Sequence, residues 1–177
     1  MAIQIGAKPD SGFDDTIGML IDCHRRIECF LHVLCMMEDR AWNRALTDEE
    51  VTAVQSALQY FRVGGLRHTA DEEESLFPRL RAESIPANFD EIGGLENDHR
   101  NANDLHAAVD TLYSAWIAAG HLNSEDKQRL RSATEQLKHL YEEHIQIEEK
   151  TVFPRATEML DSQTIAAIGR EFQARRK

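Results

Sequence analysis

The chain has 177 residues, 42% hydrophobic and 29% charged, enough to close one continuous core without staples. Its formal net charge of -11 excludes a general nucleic-acid binder, which needs a basic stripe to displace phosphate counterions, and disfavours docking on anionic lipid. No stretch approaches the ~20 apolar residues of a membrane span, and the N-terminus lacks the basic start and apolar run of a signal peptide, so a cytoplasmic location is expected.

Residues 1–13, with Gly6, Pro9 and Gly12 and few apolar anchors, read as a loose arm, and residues 14–177 as one helical domain. Helical spacing begins near Asp14 and runs to Arg40. Ile17, Leu20, Ile21, His24, Ile27, Leu31 and Leu34 recur at three- and four-residue steps, which puts His24 on the apolar stripe. Cys23, Cys29 and Cys35 lie in the same helix at six-residue intervals. Six residues turn a helix by about 600° and advance it about 9 Å, which suits neither a shared metal nor a local disulfide. They read as small packing residues in a reducing compartment, with a redox role for Cys23 as the alternative.

The second helix begins after Thr47, where TDEE forms a capping box. It runs through Val54, Leu58, Phe61, Leu66 and His68 to the Pro78 region, and Gly64 and Gly65 predict a kink or a close helix contact. After an IPAN loop at 85–88, a third helix extends from about Phe89 to Ala119 and carries Leu95, His99, Val109 and Leu112, with Gly120 as its terminator. The fourth starts at NSED, with Ser124 as cap, and passes Leu130, Leu137, His144 and Ile147 to Phe153. A short fifth element spans Ser162 to Arg175. Strand-like alternation is nearly absent. The expected fold is all-α: an antiparallel up-down-up-down four-helix bundle with a short C-terminal fifth helix.

One segment occurs twice. HTADEEESLFPR runs from His68 to Arg79, and HIQIEEKTVFPR from His144 to Arg155, with His, two Glu, Phe, Pro and Arg in register. His24 precedes the first copy by 44 residues and His99 precedes the second by 45. Each half of the chain therefore contributes a lone His and a His-x-x-x-Glu pair. Residues four apart share a helical face, so His68 with Glu72, and His144 with Glu148, point together into a bundle that also receives His24 and His99. Four imidazoles and two carboxylates suit iron, manganese or zinc and suit calcium or magnesium poorly. Two bridging carboxylates would hold two ions, each with two histidines, and leave coordination positions open for a small molecule. Pro78 and Pro154 each remove a helical donor and are expected to bend or end their helices at matching heights. Phe77 and Phe153 read as core plugs beyond the metal.

These residues resemble the His-His-Glu cation-binding branch of the hemerythrin-like superfamily, over about Asp14 to Leu160. The resemblance implies a four-helix bundle with a non-haem diiron centre, an oxo or hydroxo bridge between the irons, and ligands at His24, His68, Glu72, His99, His144 and Glu148. Glu72 and Glu148 would bridge; zinc or manganese could substitute. Oxygen-carrying members have a further histidine where this chain has Asn103, and place the last carboxylate five residues after its His. Glu149 fills that spacing, so Glu148 and Glu149 both stand as candidates, with the repeat favouring Glu148. His106 lies about 10.5 Å along the helix from His99, too far to replace the missing ligand. Similar ligand sets occur in iron-sulfur repair proteins, which carry an extra N-terminal cysteine-containing domain, and in iron- or oxygen-sensing domains; this chain begins almost directly with the bundle.

Among other polar residues, His32 and His139 fall off the proposed level and His121 in a loop. Glu28 is a candidate outer carboxylate one turn from His24. Tyr113 and Tyr141 are packing residues or hydrogen-bond donors to a ligand, and Trp42 and Trp116 helix-end packing. The leading expectation is a diiron protein that binds or reduces oxygen, nitric oxide or hydrogen peroxide, with an electron-donor protein as partner if it turns over. The alternatives are an iron store or sensor, and a metal-free bundle in which the repeat is a relic of duplication.

Overall fold

The computed structural model describes residues 11–83 and 90–177. Residues 1–10 of the expected arm, the IPAN loop and Phe89 lie outside the described residues. Five helical rods follow in order: α1 (Thr16–Ala41), α2 (48–83), α3 (Asp90–Ala119), α4 (124–159) and α5 (Ser162–Ala174). No strand occurs among the described residues. Helix α1 packs against α2 and α4, α3 packs against α2 and α4, and α5 lies across α1 and α2. The fold is the expected all-α bundle.

Local chemistry sets most helix ends. Asp15 accepts from the Gly18 amide at 3.0 Å at the start of α1. Thr47 and Glu50 form the complete capping box of α2. The cap of α4 is Asn123, whose side chain accepts from the Asp126 amide at 2.8 Å. Ser124, the expected cap, is instead the first helical residue, because an extended Asn at the preceding position satisfies the same orphan amides. Gly120 ends α3 with φ +74, a conformation glycine adopts at no steric cost.

Three wide π-helical turns interrupt two of the rods: Phe61–Gly65 and Glu72–Leu76 in α2, and Glu148–Val152 in α4. The first contains Gly64 and Gly65, where a kink or a close helix contact was expected. A Cβ on Gly64 would meet the Tyr60 ring at 2.7 Å, so the missing side chain makes room for that ring. The other two occupy the same register of the duplicated segment. Neither proline ends its helix: α2 continues to Glu83 and α4 to Met159. The Phe77 amide reaches Glu72 and the Phe153 amide reaches Glu148, a five-residue step in each case. The widened turn just before each proline takes up the missing donor and moves the preceding carbonyls off the pyrrolidine ring.

The apolar interior is divided. One cluster includes Ile27, Phe30, Leu34, Leu58, Phe61, Leu112 and Trp116. The other includes Leu20, Leu76, Phe77, Leu80, Leu95, Phe153 and Phe172. Along α1, His24 falls between Leu20 and Ile27; along α3, His99 falls between Leu95 and Ala102. A buried polar layer thus separates two greasy ones.

The cysteines are all unpaired: Cys23 is buried, Cys29 exposed and Cys35 half-buried. Burial pushes the Cys23 thiol up to about 11, which leaves little of the reactive thiolate. Cys29 faces solvent and is not the packing residue expected. Tyr113 donates to the Leu34 carbonyl at 2.6 Å inside the first cluster, which makes it a packing residue. Trp116 is buried there too, and its indole donates to the Arg44 carbonyl at 3.3 Å.

Glu38 is a buried carboxyl away from this layer, and burial pushes its pKa up to about 7 against the opposing pull of Thr134 and Arg131. A carboxyl raised on folding contributes fully below its unfolded pKa and costs stability as pH rises through the folded value. Glu38→Gln should therefore be close to neutral near pH 4, below the unfolded pKa, and stabilising by up to about 3 kcal/mol above pH 8. Urea melts of both proteins at those two pH values measure the difference; an equal gain at both would mean that the ionised carboxylate is not the cause.

Candidate metal centre

Each half of the bundle delivers its histidines as a pair. His24 of α1 and His68 of α2 have ring centroids 5.0 Å apart, and His99 of α3 and His144 of α4 are 4.7 Å apart. Between the pairs lie the carboxylates of Glu72 and Glu148, both with 0% exposure. Glu72 places Oε1 3.4 Å from His68 Nε2 and Oε2 3.3 Å from His99 Nε2. Glu148 places Oε2 3.0 Å from His24 Nε2 and 3.3 Å from His144 Nε2. Each carboxylate thus touches one histidine from either half.

Two overlapping groups of four result. His24, His68, Glu72 and Glu148 bring one atom each to within 4.8 Å of one another, and so do His99, His144, Glu72 and Glu148. Both glutamates belong to both groups. All six residues singled out by spacing are together, and Glu148 takes the inner position. Glu149 lies outside it and accepts a hydrogen bond from His24 Nδ1 at 2.9 Å, while Arg25 grips it at 2.6 Å.

The second nitrogens show a further pairing that spacing alone did not reveal. Glu73 of α2 accepts from His99 Nδ1 at 2.8 Å, as Glu149 of α4 accepts from His24 Nδ1. The two carboxylates occupy the same position of the repeat, directly after the inner glutamate; the second identical Glu of each copy was the available signal. An Nδ1 proton held by a carboxylate fixes the tautomer and turns the Nε2 lone pair inward. His144 Nδ1 lies 3.5 Å from Asp98. The rings are braced as well: Phe153 stacks on His24 at 5.4 Å and Phe77 on His99 at 6.3 Å, so the expected plugs are also the walls of the imidazoles. Glu28, the expected outer carboxylate, is exposed and bound to Arg25 at 2.7 Å. His32, His121 and His139 are exposed. His106 joins neither group and bonds through Nε2 to Tyr141 Oη at 3.0 Å.

Electrostatics without an ion are strained. Burial, reinforced by the neighbouring Glu148, holds the Glu72 carboxyl well above the usual range. Burial also opposes ionisation of Glu148, but His144 and His24 outweigh it and hold that carboxyl well down. His68 is driven well below its ordinary value by burial and by His24. Two carboxylates this close in a dry layer cannot both carry charge unless cations neutralise them.

The orphan atoms show what the layer fits. Both oxygens of Glu72 and of Glu148, Nε2 of His24, His99 and His144, and Nδ1 of His68 and His144 are buried with no hydrogen-bond partner. Each such atom would cost about 1–3 kcal/mol if left unpaired. Converging imidazole nitrogens and carboxylate oxygens without hydrogen-bond partners are the donor set of a transition metal. The residues fit a bound transition metal.

In comparison with known families, the one described as the Hemerythrin HHE cation binding domain matches residues 15–156. Comparison with curated protein sequences gives no significant match.

Proposed function

This chain belongs to the hemerythrin HHE cation-binding family, and from that premise we propose that it holds two irons and binds or reduces a small molecule: oxygen, nitric oxide or hydrogen peroxide. The observation that carries this reading is the sharing of Glu72 and Glu148 between two four-residue groups. His24 and His68 would hold one iron, His99 and His144 the other, and the two glutamates would bridge them. An iron pair supplies reversible redox chemistry at neighbouring centres. The chain's own residues do the rest. Glu149 and Glu73 orient His24 and His99 through their Nδ1 protons. Phe153 and Phe77 lie against the same two rings and exclude water from that side. Four protein ligands per iron leave positions for an external molecule. Zinc and manganese fit the same donors. Among the described residues no helix is long and apolar enough to cross a membrane.

A second reading, an iron store or sensor, draws on one observation. Helix α5 is tied beside the Glu72 turn through Asp71, which accepts from Arg175 at 3.0 Å and Arg176 at 2.6 Å. A change at Glu72 could therefore be felt by α5.

Metal analysis and ultraviolet-visible spectroscopy on protein from iron-supplemented cells test both readings. About two irons per chain with near-ultraviolet charge-transfer bands, perturbed by nitric oxide or peroxide, are expected for a site of this kind. A protein that loads iron, ignores all three ligands and loses helix on chelation would support the sensor. Failure to take up anaerobic Fe(II) would overturn the diiron reading.

A further inference from the structure

The two metal positions are alike in ligands, and Phe77 and Glu73 flank His99 as Phe153 and Glu149 flank His24; they differ in what opens beside them. On the α1 side, His24 has no exposure and is covered by Phe153, Glu149 and Arg25. On the α3 side, a cavity of about 360 Å³ opens between α2 and α3 and is lined by His99 itself. Tyr141 lines the same cavity and sets its ring edge-on to His144, with centroids 6.3 Å apart. Of the two histidines of the second position, His99 therefore faces this space directly, and the Tyr141 ring stands between it and His144.

The lining states what the cavity would admit. Leu58, Phe61, Leu66, Ala102 and Ala107 make apolar walls. The charged residues among its lining, Arg62 and Asp110, neutralise each other through a bond of 2.7 Å. Its neutral polar groups are the Asn103 amide at the exposed rim, one turn from His99, and the hydrogen-bonded pair of His106 and Tyr141. His106 is stacked on Phe61 at 4.2 Å, and burial pushes its pKa down to about 4, so it is a neutral imidazole at physiological pH. A passage with apolar walls, a cancelled charge pair and neutral hydrogen-bonding groups favours small uncharged molecules over ions. The volume is many times the ~30 Å³ share of one water, so a diatomic or peroxide fits within it. The first π turn, Phe61–Gly65, forms part of the wall, and Gly65 presents no side chain to fill it.

We infer that small uncharged molecules reach the centre through this cavity between α2 and α3 and that the position held by His99 and His144 is the one that exchanges ligands. The inference rests on the diiron reading for what is exchanged; the cavity's capacity to take up a neutral guest does not depend on metal.

The test uses three tryptophan variants on α3. Asn103 and Ala107 are exposed residues that line the cavity, so Asn103→Trp and Ala107→Trp should fill it while leaving the core intact. Asp104, exposed on the same helix, lines the groove toward α4 instead, and Asp104→Trp is the control. Xenon, followed by NMR or in pressurised crystals, is expected beside His99 in wild type and Asp104→Trp and to be displaced in at least one cavity variant. Nitric oxide association with the iron-loaded protein should slow at least about tenfold in that variant, with iron content unchanged. An empty cavity under xenon would overturn the inference. So would nitric oxide association that stays within twofold of wild type after xenon has been displaced. Failure to load iron would overturn the function proposed above, and the xenon arm would then decide the cavity alone.

Discussion

Replacing Glu72 with alanine is expected to empty both metal positions, whereas replacing His99 with alanine should empty one. The difference follows from membership: Glu72 belongs to both four-residue groups and His99 to one. Removing Glu72 leaves each position with two histidines and a single carboxylate, and leaves Glu148 as the lone negative charge between two cations. Removing His99 leaves the His24, His68, Glu72 and Glu148 group whole. Metal per chain after anaerobic loading and desalting should fall below about a tenth of wild type in Glu72→Ala, more than the 10–100-fold affinity loss typical of outer partners would require. In His99→Ala it should fall to about half. Glu148→Ala should copy Glu72→Ala, since it too belongs to both groups. Glu149→Ala should retain metal with weakened affinity, because it touches only the far nitrogen of His24. Equal losses in Glu72→Ala and His99→Ala would mean that the two positions do not fill independently. Retention of helix by circular dichroism separates lost binding from lost fold, and the metal-free Glu72→Ala protein should melt no lower than metal-free wild type, since it has shed a buried carboxyl with two orphan oxygens.

The other large effect lies at α5. Asp71 has 0% exposure, and Arg175 and Arg176 are its cationic partners. Arg175 also donates to Ser75 at 2.8 Å, and Arg79 pairs with Glu171 at 2.6 Å, so the helix is fastened on both sides of the Glu72 turn. Removing both arginines leaves a buried carboxylate without a counter-charge. The Arg175→Ala, Arg176→Ala double variant should lose about 3–5 kcal/mol, a fall in Tm on the order of 10 °C for a chain of this size. Asp71→Asn should cost less, about 1–3 kcal/mol, because the arginines it abandons reach solvent. If the double variant melts within two degrees of wild type, α5 is not held by this cluster. Metal affinity in the same variant reports whether the clamp also positions Glu72: an unchanged value would remove the observation that favours a sensor.

Glycine packing shows the same dependence on the C-terminal helix. A Cβ on Gly169 of α5 would run into the Phe13 carbonyl, and Thr16 Oγ1 donates to the Ile165 carbonyl at 3.2 Å. The start of α1 and the middle of α5 approach too closely for a side chain, which nothing in the local sequence of either segment announces.

What the sequence by itself determined was whatever repeats at helical spacing: four long amphipathic rods and a short fifth, the capping box at Thr47, the terminator Gly120, and the six inward residues of the duplicated halves. Those features are local, since a 3.6-residue period maps sequence distance directly onto a helical face. Tertiary structure decided everything that depends on which faces meet. It placed Glu148 inside and Glu149 outside, where His-x-x-x-Glu and the next residue were both open, because the π turn beginning at Glu148 directs one carboxyl inward and leaves the next beside α1. It joined Glu73 of α2 to His99 of α3 and Glu149 of α4 to His24 of α1, residues 26 and 125 positions apart. It carried both helices past Pro78 and Pro154 by widening the turns before them, and gave Asp71 its partners on α5. It also set a cavity beside His99, while His24, in the matching place of the other half, is fully buried. Contacts between helices are set by the axial stagger and rotation at which whole rods pack, and those are properties of the assembled core rather than of any window of the chain.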